Sequence, residues 1–192
     1  MKLCYVSLAL TLASSAAAWA ELPDLSQASG SVLIAAPTDA AGPTNQGIWF
    51  VNPGDKSFSL TLPELPTGKV YEGWIVDACT GIKTSTGLFR AHGGIDSDSA
   101  GRYAGPLALD IPPVPGSDFV TLGSDLADGG HRLVITVEPY PDSDPNPSGI
   151  ALLGVTIPEN TAVGTVLQLQ NLASLPAAVA FTADHPAQTR GE

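Results

Sequence analysis

Glycine and proline are spread along this chain rather than gathered in one region, and that distribution constrains the fold more than any other feature. Twenty glycines and seventeen prolines among 192 residues leave few stretches of helix length free of both. Inside a helix a proline costs about 3 kcal/mol and a glycine about 1, so an architecture of long helices is excluded. Between the breakers lie short runs of apolar and β-branched residues, the pattern of strands punctuated by turns.

The runs can be followed in order. Ser31 to Ala36 is short and apolar and is closed by Pro37. Gly47 to Val51 ends at the turn Asn52-Pro53-Gly54-Asp55. Phe58, Leu60 and Leu62 then alternate with Ser57, Ser59 and Thr61, a period of two that gives one core face and one wet face. Lys69 to Asp77 sets Val70, Trp74 and Val76 against Tyr71 and Ile75, as expected of a central strand covered on both sides. Gly81 to Phe89 is its expected hairpin partner across Ala78-Cys79-Thr80-Gly81. Residues 92–118 read as loop and Phe119 to Leu122 as a short strand. In Arg132 to Glu138, Leu133, Ile135 and Val137 share one face and Pro139 ends the run.

Pro141 to Pro147 is a polar loop. Ile150 to Ile157 and Val166 to Leu172 read as two further strands, and Pro176 to Phe181 as a last one, although Ala173 to Ala183 could also turn helical. Eight to ten short strands with regularly spaced turn signals predict an all-β antiparallel sandwich, with a partly open β-barrel as the alternative. Residues 31–183 form one expected domain, after an extension at 21–30 and before a disordered tail at 184–192.

The first twenty residues have the form of a secretory signal. Lys2 supplies positive charge, Leu3 to Ala18 is uncharged and apolar, and Ala18-Trp19-Ala20 is a small-x-small cleavage pattern. The apolar run is shorter than the roughly 20 residues of a spanning helix. The expectation is an exported chain, periplasmic or secreted, with no membrane span after cleavage. Eight basic residues stand against nineteen acidic ones, a net charge of −11. Such a surface repels phosphate, so nucleic acid is not an expected partner. Cys4 lies in the leader and Cys79 is the one cysteine beyond it, so no internal disulfide is available and the fold must rest on apolar packing.

No catalytic constellation emerges. Serines are plentiful, but no G-x-S-x-G elbow is present. Cys79 with His92 or His131 forms a dyad on paper only, and the three histidines are too scattered for zinc. They read as solvated. Asp96 and Asp98 lie in a D-x-D-x-x-G stretch that opens like a calcium loop, but no closing acid follows before Asp110. They are weak calcium candidates, and no cofactor is expected. The candidate binding residues are Tyr71, Glu72, Trp74 and Glu138. Aromatic rings can stack on a ligand, although these sit in a strand whose rings also suit a core. Glu72 shares a side with Val70 and Trp74, and must reach the sheet edge, meet a cation or mark a site.

Two segments carry a family resemblance. Tyr71-Glu72-Gly73-Trp74-Ile75-Val76, followed by Ser85-Thr86-Gly87-Leu88-Phe89, resembles a hairpin of the extracytoplasmic domain of anti-sigma-K factors. Val134-Ile135-Thr136-Val137-Glu138-Pro139, an acidic loop and Pro147-Ser148-Gly149 resemble a second hairpin of that domain. The similarity spans roughly residues 31–157. It implies a free-standing relative of the outer, sensory part of such factors, partnering an envelope protein or a small ligand and carrying no catalytic residue. Regulators of that family add a cytoplasmic sigma-binding segment and a membrane helix. This chain has a leader in their place, so direct sigma-factor binding is not expected. A calcium-stabilised structural or adhesive β-domain is the alternative.

Overall fold

A computed structural model of the protein describes residues 22–37, 39, 44–93, 114–119, 125–147 and 150–173. The strands are β1 (Ser29–Ile34), β2 (Gly47–Trp49), β3 (Leu60–Thr61), β4 (Lys69–Asp77), β5 (Lys83–Phe89), β6 (Gly116–Asp118), β7 (His131–Pro139), β8 (Ile150–Thr156), β9 (Thr165–Gln168) and β10 (Gln170–Asn171). A single 3-10 turn at Leu25–Gln27 precedes them, and no α-helix occurs among the described residues.

The described strands form two antiparallel sheets and no closed barrel. One runs β3-β1-β2-β6, with β9 on the other side of β1, and the second runs β10-β8-β7-β4-β5. Val32, Ile34, Ile48 and Phe50 of the first sheet meet Tyr71, Ile75, Phe89, Leu133, Ile135 and Val137 of the second in one apolar cluster. The Phe89 ring lies 5.5 Å from that of Phe50 and 6.0 Å from that of Tyr71, so aromatic contact joins the layers. This is a β-sandwich.

The pair β4–β7 is its backbone, in unbroken register from Lys69↔Pro139 to Asp77↔His131. Because side chains alternate, Tyr71, Gly73 and Ile75 face the other sheet beside Val137, Ile135 and Leu133. Gly73 leaves room there. A Cβ added to it would come within 2.1 Å of Thr86 Oγ1 and 3.4 Å of the Phe50 ring. The β4–β5 turn closes as its composition suggests. Gly81 takes φ +74°, a conformation that side chains resist, and its N–H donates to Asp77 O at 2.8 Å.

Two expectations need correction. Val166 to Leu172 is not one strand. Its first part pairs with β1 in one sheet and Gln170–Asn171 with β8 in the other, with Leu169 alone between them. The segment crosses from sheet to sheet because Leu169 donates to Gly30 O while Leu172 donates to Leu152 O. Residues 92–118 are not loop throughout, since Gly116–Asp118 pairs with β2. There Trp49 Nε1 donates to Asp118 Oδ1 at 2.7 Å, with both side chains fully buried. Phe119 joins the core just beyond β6, and the rest of the strand expected from Phe119 to Leu122 lies outside the described residues.

The alternating stretch at Phe58, Leu60 and Leu62 packs on the core as expected, yet its ladder is only Leu60–Thr61. The leader, Asp96 and Asp98, the region Pro176 to Phe181 and the tail lie outside the described residues.

Candidate functional site

Two polar groupings are built into the second sheet, on opposite faces of β4 and β7. On the face turned away from the first sheet stand Val70, Glu72 and Trp74, beside Glu138, Thr136 and Val134. Glu72 and Glu138 are diagonal neighbours across the ladder, both buried. At this point the β4–β5 register shifts, with Thr86 and Gly87 of β5 opposing Gly73 alone, which places Ser85 opposite Trp74 and within reach of Glu72. The Ser85 hydroxyl donates to Glu72 Oε1.

Among the described residues, neither the sheet edge nor a cation receives Glu72. Burial pushes its carboxyl up to about 7; the Ser85 hydroxyl opposes this, while the negative charges of Asp142 and Glu138 add to it. A carboxyl raised this far can keep its proton well above the ordinary carboxylate range, and as an acid it can donate to the neighbouring Asp142 carboxylate. Two of the four candidate binding residues, Glu72 and Glu138, thus share one environment, and Asp142 from the following loop joins them.

The other two candidates are framework. Tyr71 is fully buried, and its hydroxyl donates to Pro63 O at 2.6 Å. Trp74 is 1% exposed and its Nε1 donates to Thr136 Oγ1 at 2.9 Å. Neither ring offers an open face, so the aromatic stacking platform considered for them is not formed: cross-strand packing and a hydrogen bond occupy each ring instead.

The second grouping closes the end of the sandwich. Where β4 ends, β5 begins and β7 begins, the sheets leave a cleft of about 180 Å³, lined by Ile75, Asp77, Ile82, Thr84, Phe119, Leu126 and His131. Ile75, Phe119 and Leu126 are buried and make its floor, while Ile82 stands 62% exposed at the rim. Asp77 and His131 are direct partners across the ladder, so the register itself delivers both to the same wall.

Both polar groups are fixed from behind. Asp77 Oδ1 accepts from the N–H groups of Cys79 and Thr80, and Oδ2 from Thr80 Oγ1. These bonds, the Thr80 hydroxyl foremost, hold its carboxyl below the usual range. His131 Nδ1 lies 2.8 Å from Asp128 Oδ1. Partial burial works against the Asp128 charge, but the Gly130 N–H and His131 outweigh it and keep the carboxyl low. An ionised carboxylate only accepts, so the Nδ1 that faces Asp128 carries a proton, and in the tautomer protonated there alone Nε2 is an acceptor.

His131 is therefore not the solvated side chain expected, being 8% exposed. A signal for this wall was present in the sequence. The inward stripes of β4 and β7 each carry one polar residue at the same end, Asp77 after Ile75 and His131 before Leu133. His92, in contrast, is exposed and reaches Glu64 at 2.8 Å. Cys79 is a free, exposed thiol in the β4–β5 turn, and among the described residues no hydrogen bond ties it to a histidine. Nor do the described residues hold any group of three or more His, Cys, Asp or Glu placed to grip a metal ion. No described helix is long and apolar enough to cross a membrane. No family model, no curated protein and no solved structure matches the chain.

Proposed function

We propose that the protein is a non-catalytic, exported binding or sensory module, akin in role to the outer domain of anti-sigma-K factors and acting in envelope signalling. The observation that carries the reading is the end cleft. It combines a buried apolar floor with two polar groups held rigidly by second partners, which is how a small-ligand site is made specific. The segments that carry the family resemblance support the same reading from a different side. They form β4, β5 and β7, the strands on which the cleft wall is built.

The test is a thermal-shift screen of the purified protein against small metabolites, run beside a pull-down from envelope extracts. A ligand that raises the melting temperature saturably, and loses its effect when Ile82→Trp fills the mouth of the cleft, supports the reading. No ligand and no specific partner in either screen overturns it.

A further inference from the structure

We propose that the end cleft binds a small primary amine, taken as its ammonium ion, with a short apolar body. This rests on the binding-module reading above and names the ligand class of that site. The argument starts from what the two walls can and cannot do. The Asp77 carboxylate at the cleft is an acceptor, and so is His131 Nε2 in the tautomer that keeps its proton on Nδ1. The Asp77 carboxylate has three bonds from Cys79 and Thr80, and two oxygens offer about four acceptor positions. It keeps its charge and room for a further donor. His131 spends Nδ1 on Asp128, and Nε2 has no hydrogen-bond partner among the described residues. A ligand must bring donors.

Charge then narrows the class. Asp77 and Asp128 both feel the His131 ring, and no lysine or arginine forms an ion pair with either among the described residues. The ladder partner of Asp77, His131, is already held by Asp128. A carboxylate at the mouth of an apolar cavity without a cation favours a charged donor over a neutral one, since charge-assisted hydrogen bonds are about twice as strong. An ammonium group supplies three donors at one point, enough to reach Asp77 and His131 together, which face each other across the ladder.

The floor settles the rest of the ligand. Ile75, Phe119 and Leu126 present carbon only, and Thr84 and the exposed Ile82 frame the entrance. A volume of about 180 Å³ is close to the roughly 150 Å³ of an apolar cavity that takes up benzene, so the body is a short alkyl chain or a single ring. A protein of net charge −11 also draws cations towards it over several ångströms.

The test is an amide-resonance titration of the purified protein with benzylamine and n-butylamine, beside benzyl alcohol and n-butanol. The amines are expected to shift Thr84, Leu126 and His131 saturably and to bind at least tenfold more tightly than the matching alcohols. In Asp77→Asn the amide oxygen can still cap Cys79 and Thr80, so the turn survives while the charge goes, and the amine preference should fall to within about twofold. Ile82→Trp, at an exposed position the core does not use, should weaken both amines at least tenfold.

Alcohols that bind the same resonances as tightly as amines overturn the ligand class and leave the binding-module reading standing. An amine preference that survives Asp77→Asn overturns the assignment of the charge. Probes that shift none of these resonances overturn the cleft proposal, and the module reading then stands or falls on the envelope pull-down.

Discussion

The two faces of β4 are buried alike and stabilised differently. Towards the first sheet, Tyr71, Gly73 and Ile75 meet Val137, Ile135 and Leu133 in a surface that is almost entirely carbon. Towards the other side, Val70 and Trp74 share their burial with Glu72, Thr136 and Glu138. The inner face gains from apolar area removed from water, a term that ignores pH. The outer face depends on which carboxyl holds a proton. Burial by itself therefore says little about what a strand is for, and the chemistry of the alternate residues says more.

The comparison breaks first if the inner face proves tolerant. Ile135→Ala removes a fully buried side chain between the sheets and should cost about 4 kcal/mol, from the usual range for such truncations. Urea denaturation measures it, and a cost below about 1 kcal/mol would mean the sheets are not held by this stripe.

The next effect belongs to the outer face and has a definite sign. Glu72 has a folded value near 7 against an ordinary 4.5. A carboxyl raised in this way contributes its full stability below pH 4.5 and loses it as pH rises through 7, a difference of about 3 kcal/mol. Denaturation at pH 4.5 and pH 8 should show that fall in the native protein, and Glu72→Gln should flatten it and leave the variant more stable than the parent at pH 8. The lowered aspartates, Asp77 and Asp128 among them, act in the opposite sense only as pH falls below 3.8. A native protein whose stability does not change between pH 4.5 and 8 would place Glu72 in water.

Gly73→Ala sharpens the line between the faces. The new methyl meets Thr86 Oγ1 at 2.1 Å, and Thr86 is itself fully buried, so strain of about 2 kcal/mol is expected. Thr86→Ala in the same background should recover most of it, since the clash is with that hydroxyl. A double variant no better than Gly73→Ala would move the blame to Phe50. The smallest effect is at the turn. Cys79→Ser changes an exposed side chain whose neighbours bind its backbone alone, and its melting curve should overlay the parent within about 0.5 kcal/mol.

Much of this was legible without coordinates. Gly and Pro argued against long helices and none occurs among the described residues, β4 is bounded where the residues place it, and the Asp77-to-Gly81 turn follows from its composition. The candidate site was legible only by half. Glu72 stood out as a charge in an apolar strand, but its partners Ser85 and Asp142 come from a bulge and a loop, whose reach no periodicity encodes. Asp77 and His131 were each visible, and their meeting was not, because 53 residues of chain separate two strands that only pairing brings side by side.

The residues alone determined an all-β chain, its strong negative charge and which positions alternate between core and water, because those follow from backbone limits and a period of two that every strand shares. Tertiary structure decided what lies across from what. It split Thr165 to Asn171 between two sheets, made Tyr71 and Trp74 framework, and set Asp77 against His131 at the end of the sandwich. Register is a long-range choice made by the whole packed core, so a local sequence can offer a polar residue to a site without fixing the residue it will meet.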